Sequence, residues 1–145
     1  MLVWIYRANY NARQLGATTM EFTPGWSVGW FFIPIGNLWK PFQAVKQIWQ
    51  ASKSAEDWKE QKAPALLRWW WFFWLVSIII SRLAFEFSGS TETLKELKTS
   101  NIVSICDDSL KILLFLLFLT IVSQIYRMQM SQYRMKLEIG SGVEY

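Results

Sequence analysis

Histidine is missing from this 145-residue chain, and cysteine occurs once, at Cys106. The first absence removes the commonest general base at neutral pH and the commonest metal ligand. The second excludes an internal disulfide and a thiolate metal site. What remains offers no recognisable set of nucleophile, base and orienting group, so neither an enzyme nor a bound cofactor or metal is expected. Charge is also sparse, at 18% of residues against 52% hydrophobic and 17% aromatic. A chain this short and this apolar does not make an ordinary water-soluble core. No secretory signal is visible in the pattern either: Leu2 to Tyr6 follow Met1 directly and end at Arg7, without a basic start or a small-residue cleavage site. That opening reads either as the last turns of a membrane helix or as a short interfacial anchor.

What the chain has in abundance is tryptophan, ten residues of it. Trp and Tyr concentrate where a bilayer meets water, because their rings span both environments. The net charge of +4 raises the question of nucleic acid. The lysines, however, lie beside apolar stretches, so the expected partners are membrane lipids, anionic headgroups included, and other membrane proteins or further copies of the chain.

The pattern predicts an all-α integral membrane protein, a single membrane domain over residues 1–145. Residues 1–16 read as a helix end with a basic motif. Residues 24–40 are apolar but interrupted by Gly29, Pro34 and Gly36. A straight crossing needs about 20 apolar residues, and proline breaks the helical ladder, so a re-entrant or kinked membrane segment is expected there. Between 41 and 62, Phe42, Val45, Ile48, Trp49 and Ser52 recur at helical spacing among lysines, which predicts an amphipathic interfacial helix. Two transmembrane helices are expected, over 66–87 and 107–136, with a polar connector at 88–104. In the first, Arg82 and Glu86 stand four residues apart and are placed to form an intramembrane ion pair. Thr93 and Glu96 fit a capping box in the connector. Asp107 and Asp108 invite a catalytic or ion-binding reading, but acidic groups at a helix N-terminus are favoured as caps. Thr120, Ser123 and Gln124 are candidates for hydrogen bonds to a neighbouring helix.

Lysine and arginine set the expected topology, since short cytoplasmic segments are rich in both. Arg7 and Arg13, then Lys40 to Arg68, then Arg127, Arg134 and Lys136 form three basic regions, whereas the connector is poor in basic residues. A re-entrant segment at 24–40 keeps all three on the cytoplasmic side of a multi-pass protein in a bacterial inner membrane.

Several dense motifs carry a resemblance. They are Trp4-Ile5-Tyr6-Arg7-Ala8-Asn9, Asn11-Ala12-Arg13, Phe22-Thr23-Pro24-Gly25-Trp26, Gly29-Trp30-Phe31-Phe32-Ile33-Pro34, Asn37-Leu38-Trp39-Lys40-Pro41 and Ile48-Trp49-Gln50-Ala51-Ser52. Together they resemble the bacterial membrane family called domain of unknown function 4328, densely over the first third of the chain and loosely through the Trp-rich span. Its members usually carry further membrane helices ahead of the Trp-Ile-Tyr-Arg motif, so the resemblance implies a truncated or alternatively started product. It implies no biochemistry.

The candidate contact residues for lipid or partner are Tyr6, Arg7, Asn9, Asn11, Arg13, Trp26, Pro34, Asn37, Trp39, Pro41 and Trp49. Arginines at a helix end hold lipid phosphate and asparagines satisfy free carbonyls. The alternative is a polar cavity built by Arg7, Arg13, Asn37 and the broken backbone, as in transporters. A shorter echo, Ile5-Tyr6-Arg7 against Ile125-Tyr126-Arg127, fits two helix ends at one boundary. The expected function is a small membrane scaffold or complex subunit; the alternative is an oligomeric transporter or channel component with a polar site near the broken helix.

Overall fold

The computed structural model describes residues 1–88 and 94–141, excluding the side chains of 84, 86–88, 94–97, 99, 100 and 141. Every regular element among them is helical: α1 (Leu2–Gln14), α2 (Pro24–Gly29), α3 (Lys40–Lys53), α4 (Ala65–Ser88) and α5 (Leu94–Ser141), with single tight turns at Trp30–Phe32, Gly36–Leu38 and Trp58–Glu60. The chain forms two compact units, Met1–Pro64 with Ile121–Tyr145, and Ala65–Thr120.

In the first unit, α1 buries Ile5, Ala8, Asn9 and Ala12, one stripe at helical spacing. Gly16 ends it with φ of 121°, a conformation that a β-carbon resists. Thr23 caps α2 by accepting from the Trp26 amide at 3.3 Å, and Pro24 occupies the first turn, where no amide partner is needed. The segment 24–40 is broken, as its prolines and glycines require. Ile33, ahead of Pro34, is extended, with φ −95° and ψ 112°.

Helix α3 starts at another proline and packs Ala44, Val45, Ile48 and Ala51 completely out of solvent. The helix expected through residue 62 stops at Lys53, because Ser54 turns extended and its hydroxyl accepts from the Asp57 amide at 3.3 Å. Hydroxyl-to-backbone bonds of this kind compete with the helical ladder. Trp58 then returns to the core, and its indole donates to Thr19 Oγ1 at 3.0 Å.

The second unit is an antiparallel pair. Trp70 of α4 packs its ring 5.7 Å from that of Phe118, and Ser81 donates to Asp107 Oδ1 at 2.7 Å. The two contacts stand the same distance apart along both helices, which fixes one register. Trp71 and Trp74 stack at 4.4 Å on the same helix. Helix α5 is longer than the sequence pattern suggested. The expected polar connector is helical from Leu94, since neither proline nor glycine interrupts the chain before Gly140. The Thr93–Glu96 capping box lies outside the described residues.

Among the described residues one helix is long and apolar enough to cross a membrane, Ala65–Leu83, of which 22% is buried. The second expected crossing does not reach that standard. Its uncharged run, Ile112 to Tyr126, is about 22 Å long at 1.5 Å per residue, against a hydrocarbon core of about 30 Å. Lengthening it toward α5's N-terminus brings in Lys111, Asp108 and Asp107.

Candidate functional site

The first unit is organised by a polar clamp between α1 and the loop that follows it. Asn9 is fully buried and donates to the Phe22 carbonyl at 3.0 Å. Arg13, one turn on, donates to Asn9 Oδ1 at 3.3 Å and to the carbonyls of Met20 at 2.7 Å, Phe22 at 3.1 Å and Thr18 at 3.4 Å. The Phe22 amide donates to Gln47 of α3 at 3.4 Å. Loop carbonyls that no helix or sheet satisfies are thus met by one planar fork of donors, a task to which guanidinium is suited. Both residues belong to the Trp4–Arg13 motif, and the structure spends them on the chain's own backbone.

A second polar set joins the late part of α5 to α1 and α3. Gln129 donates to the Ala8 carbonyl and to Ser52 Oγ, each at 2.9 Å. Gln132 donates to the carbonyls of Ser52 at 2.8 Å and Ala51 at 3.3 Å, and the Trp49 indole donates to Gln124 Oε1 at 3.4 Å. Lys136 reaches the Gln14 carbonyl at 3.2 Å. The sequence pointed to Gln124 and Trp49; Gln129 and Gln132 went unnoticed, though the spacing of Gln124, Gln129 and Gln132 along one helix was the available signal. The two Ile-Tyr-Arg copies occupy equivalent environments, with Ile5 and Ile125 fully buried and Tyr6 and Tyr126 exposed.

The broken segment gathers most of the remaining candidates. Phe32 is 72% exposed and Ile35 71%, with Leu38, Trp39 and Trp26 about half exposed beside them. Trp26 and Trp30 have ring centroids 5.3 Å apart, and the Lys40 ammonium sits 5.5 Å from the ring centres of both Phe22 and Trp30. Gly36 lies so close to Trp30 that a β-carbon would fall 2.6 Å from the indole. Pro34 is exposed, and Pro41 is buried at the start of α3. Asn37 holds the one buried side-chain oxygen without a hydrogen-bond partner among the described residues.

In the second unit Asp107 is buried between the Ser81 hydroxyl and Lys111, whose ammonium lies 2.6 Å from Asp107 Oδ2. Since α5 begins at Leu94, Asp107 and Asp108 sit in its interior rather than at its N-terminus, and Asp107 serves as an interhelical acceptor instead of a cap. Arg82 is exposed along a groove with Ser77, Ile78 and Phe85; the side chain of Glu86, its expected partner, lies outside the described residues. Arg7 and Asn11 are exposed on α1, Asn11 beside a groove of about 440 Å³ that Tyr126 and Tyr133 also line. No cluster among the described residues brings together three side chains able to hold a metal ion.

Among the described residues these features define a small helical protein with a tryptophan-rich, polar-clamped unit and one helix long and apolar enough to cross a membrane. The clamp and the broken segment both lie in motifs that mark a family, and the chain belongs to it: the family described as Domain of unknown function (DUF4328) matches residues 1–127. No curated protein and no solved structure matches the chain.

Proposed function

We propose that the chain is a membrane-inserted helical hairpin carrying a basic, tryptophan-rich unit on one side, and that it serves as a scaffold or subunit of a membrane protein complex. One observation carries the reading: Ala65–Leu83 is apolar and only 22% buried, so its side chains call for cover by lipid or by other membrane helices. Connectivity supports a second crossing by α5. The first unit holds the chain before α4 and the late part of α5, so in this reading a chain that leaves through α4 returns through the earlier part of α5. By the register within the second unit, residues 105–120 run alongside residues 68–83, with the charged Asp107 and Lys111 paired to each other at the far end. A paired, hydrogen-bonded carboxylate is tolerated near an interface where an isolated one is costly. The basic unit and the tail then share the cytoplasmic side of the bacterial inner membrane.

The test is native mass spectrometry of the full chain extracted in lipid nanodiscs, with cross-linking through Lys46, Lys53 and Lys59. A different membrane protein at fixed stoichiometry is the expected result. A homo-oligomer alone contradicts the subunit reading. The unpartnered Asn37 oxygen favours one second reading, an oligomeric transporter or channel component with a polar site near the broken segment. Loss of solute flux on changing Asn37 would support it.

A further inference from the structure

The apolar tip between Phe32 and Trp39 presents large side chains on the surface of the first unit. Phe32 and Ile35 are each more than two-thirds exposed, and Leu38 and Trp39 nearly half. The tip protrudes from tight turns, so it offers a wedge rather than a groove. Its backbone is largely self-satisfied: the Asn37 amide bonds the Ile33 carbonyl at 2.7 Å, Leu38 the Ile35 carbonyl at 3.2 Å, and Trp39 the Gly36 carbonyl at 3.3 Å. Few backbone donors are stripped of water if the tip enters an apolar phase. In the same segment the rings of Trp26 and Trp30 pack together, and the ammonium of Lys40 is held over Trp30. Exposed apolar side chains, indoles and a cation are thereby gathered in one short stretch, the residue types that acyl chains, interface and phosphates favour in a leaflet.

We propose that Phe32–Trp39 is a shallow interfacial anchor that seats the first unit on the leaflet from which α4 departs. The occupant of the apolar surface is the bilayer, and charge complementarity favours anionic lipid: residues 1–64 carry seven basic and four acidic side chains. Pro64 hands the chain directly to α4, which keeps the unit within reach of the surface. The tip does not cross, because it is only eight residues long, Phe32 and Trp39 included, and the turns Trp30–Phe32 and Gly36–Leu38 both lie against α3. This inference rests on the membrane-inserted reading, and the experiment separates the two.

The full chain with Cys106→Ser is reconstituted into vesicles of phosphatidylcholine and phosphatidylglycerol. An environment-sensitive fluorophore is placed at Ile35→Cys, or at Ile79→Cys in α4, which is 62% exposed. Both positions are solvent-facing in their units, so labelling leaves the packing intact. The expected result is that nitroxide near the lipid headgroup quenches the Ile35 probe about twofold more than nitroxide at the acyl-chain end, the pattern of an interfacial residue. The Ile79 probe is quenched best by the chain-end nitroxide. An aqueous Ile35 probe, quenched by iodide, with Ile79 still in lipid overturns the anchor alone. A probe at Ile35 shielded from both quenchers overturns it in favour of a protein contact, and strongest quenching from the chain end overturns its shallow depth. Iodide access at both positions removes the membrane reading and the anchor with it.

Discussion

Gln129 donates its side-chain amide to the carbonyl of Ala8, 121 positions earlier, at 2.9 Å. The same amide donates to Ser52 Oγ, which in turn donates to the Ile48 carbonyl at 2.7 Å. Three stretches of chain are thereby joined at one nitrogen, and the partners are buried. Gln129→Met keeps the volume and removes both donated bonds, leaving Ser52 Oγ without this donor and the Ala8 carbonyl with only its helical partner. A loss of about 1–3 kcal/mol is expected, read as a lower thermal midpoint in detergent. An unchanged midpoint would mean that the late part of α5 is not fastened to α1.

Arg13→Lys should separate charge from geometry. Lysine keeps the charge but not the fork that meets Asn9 and the carbonyls of Met20 and Phe22. The expected loss is about 1.5–3 kcal/mol, with faster proteolysis within residues 15–23. If Arg13 served mainly to hold lipid phosphate, lysine would substitute well and the loop would keep its protection.

Gly36→Ala puts a methyl group 2.6 Å from Trp30 Cε3, whereas Gly25→Ala meets nothing within 4 Å. The first is expected to destabilise by about 1–3 kcal/mol as the indole is pushed aside. The second should leave the unfolding midpoint within error. Equal effects would show that Trp30 does not pack on Gly36.

Asp107→Asn removes the direct ion pair of Lys111, and the proposed hairpin then carries at its far end a cation balanced only by the less direct charge of Asp108. The fraction of chain resisting carbonate extraction should fall. Adding Lys111→Gln should restore it, since the pair disappears as a unit. Two additive losses would argue that Asp107 and Lys111 act independently.

The elements whose cause is local were legible in the sequence. The apolar run expected over 66–87 is α4, Ala65–Ser88, because a long run of aromatic and aliphatic side chains free of proline and glycine leaves few alternatives. In 24–40, α2 ends at Gly29 and the chain is extended just ahead of Pro34, where the sequence pattern set the interruption. The length of α5 was harder to read, since polar residues that suggest a connector are also adequate helix formers. The clamp was only half visible. Asn9 and Arg13 stood out as motif residues, yet their partners are backbone carbonyls, which leave no trace in a sequence. Gln129 and Gln132 left a trace only in their spacing with Gln124, which does not say which groups they meet.

The central claim is that α4 and α5 form a hairpin across the membrane with both flanking parts of the chain on one side. In a Cys106→Ser background, single cysteines at Glu56, Ser90 and Ser131 are treated in spheroplasts with a maleimide that cannot cross the membrane. Labelling of the Ser90→Cys variant alone, with Glu56→Cys and Ser131→Cys reacting only after lysis, is the result the account expects. Labelling of Glu56→Cys and Ser131→Cys from opposite sides, or of all three before lysis, would contradict it.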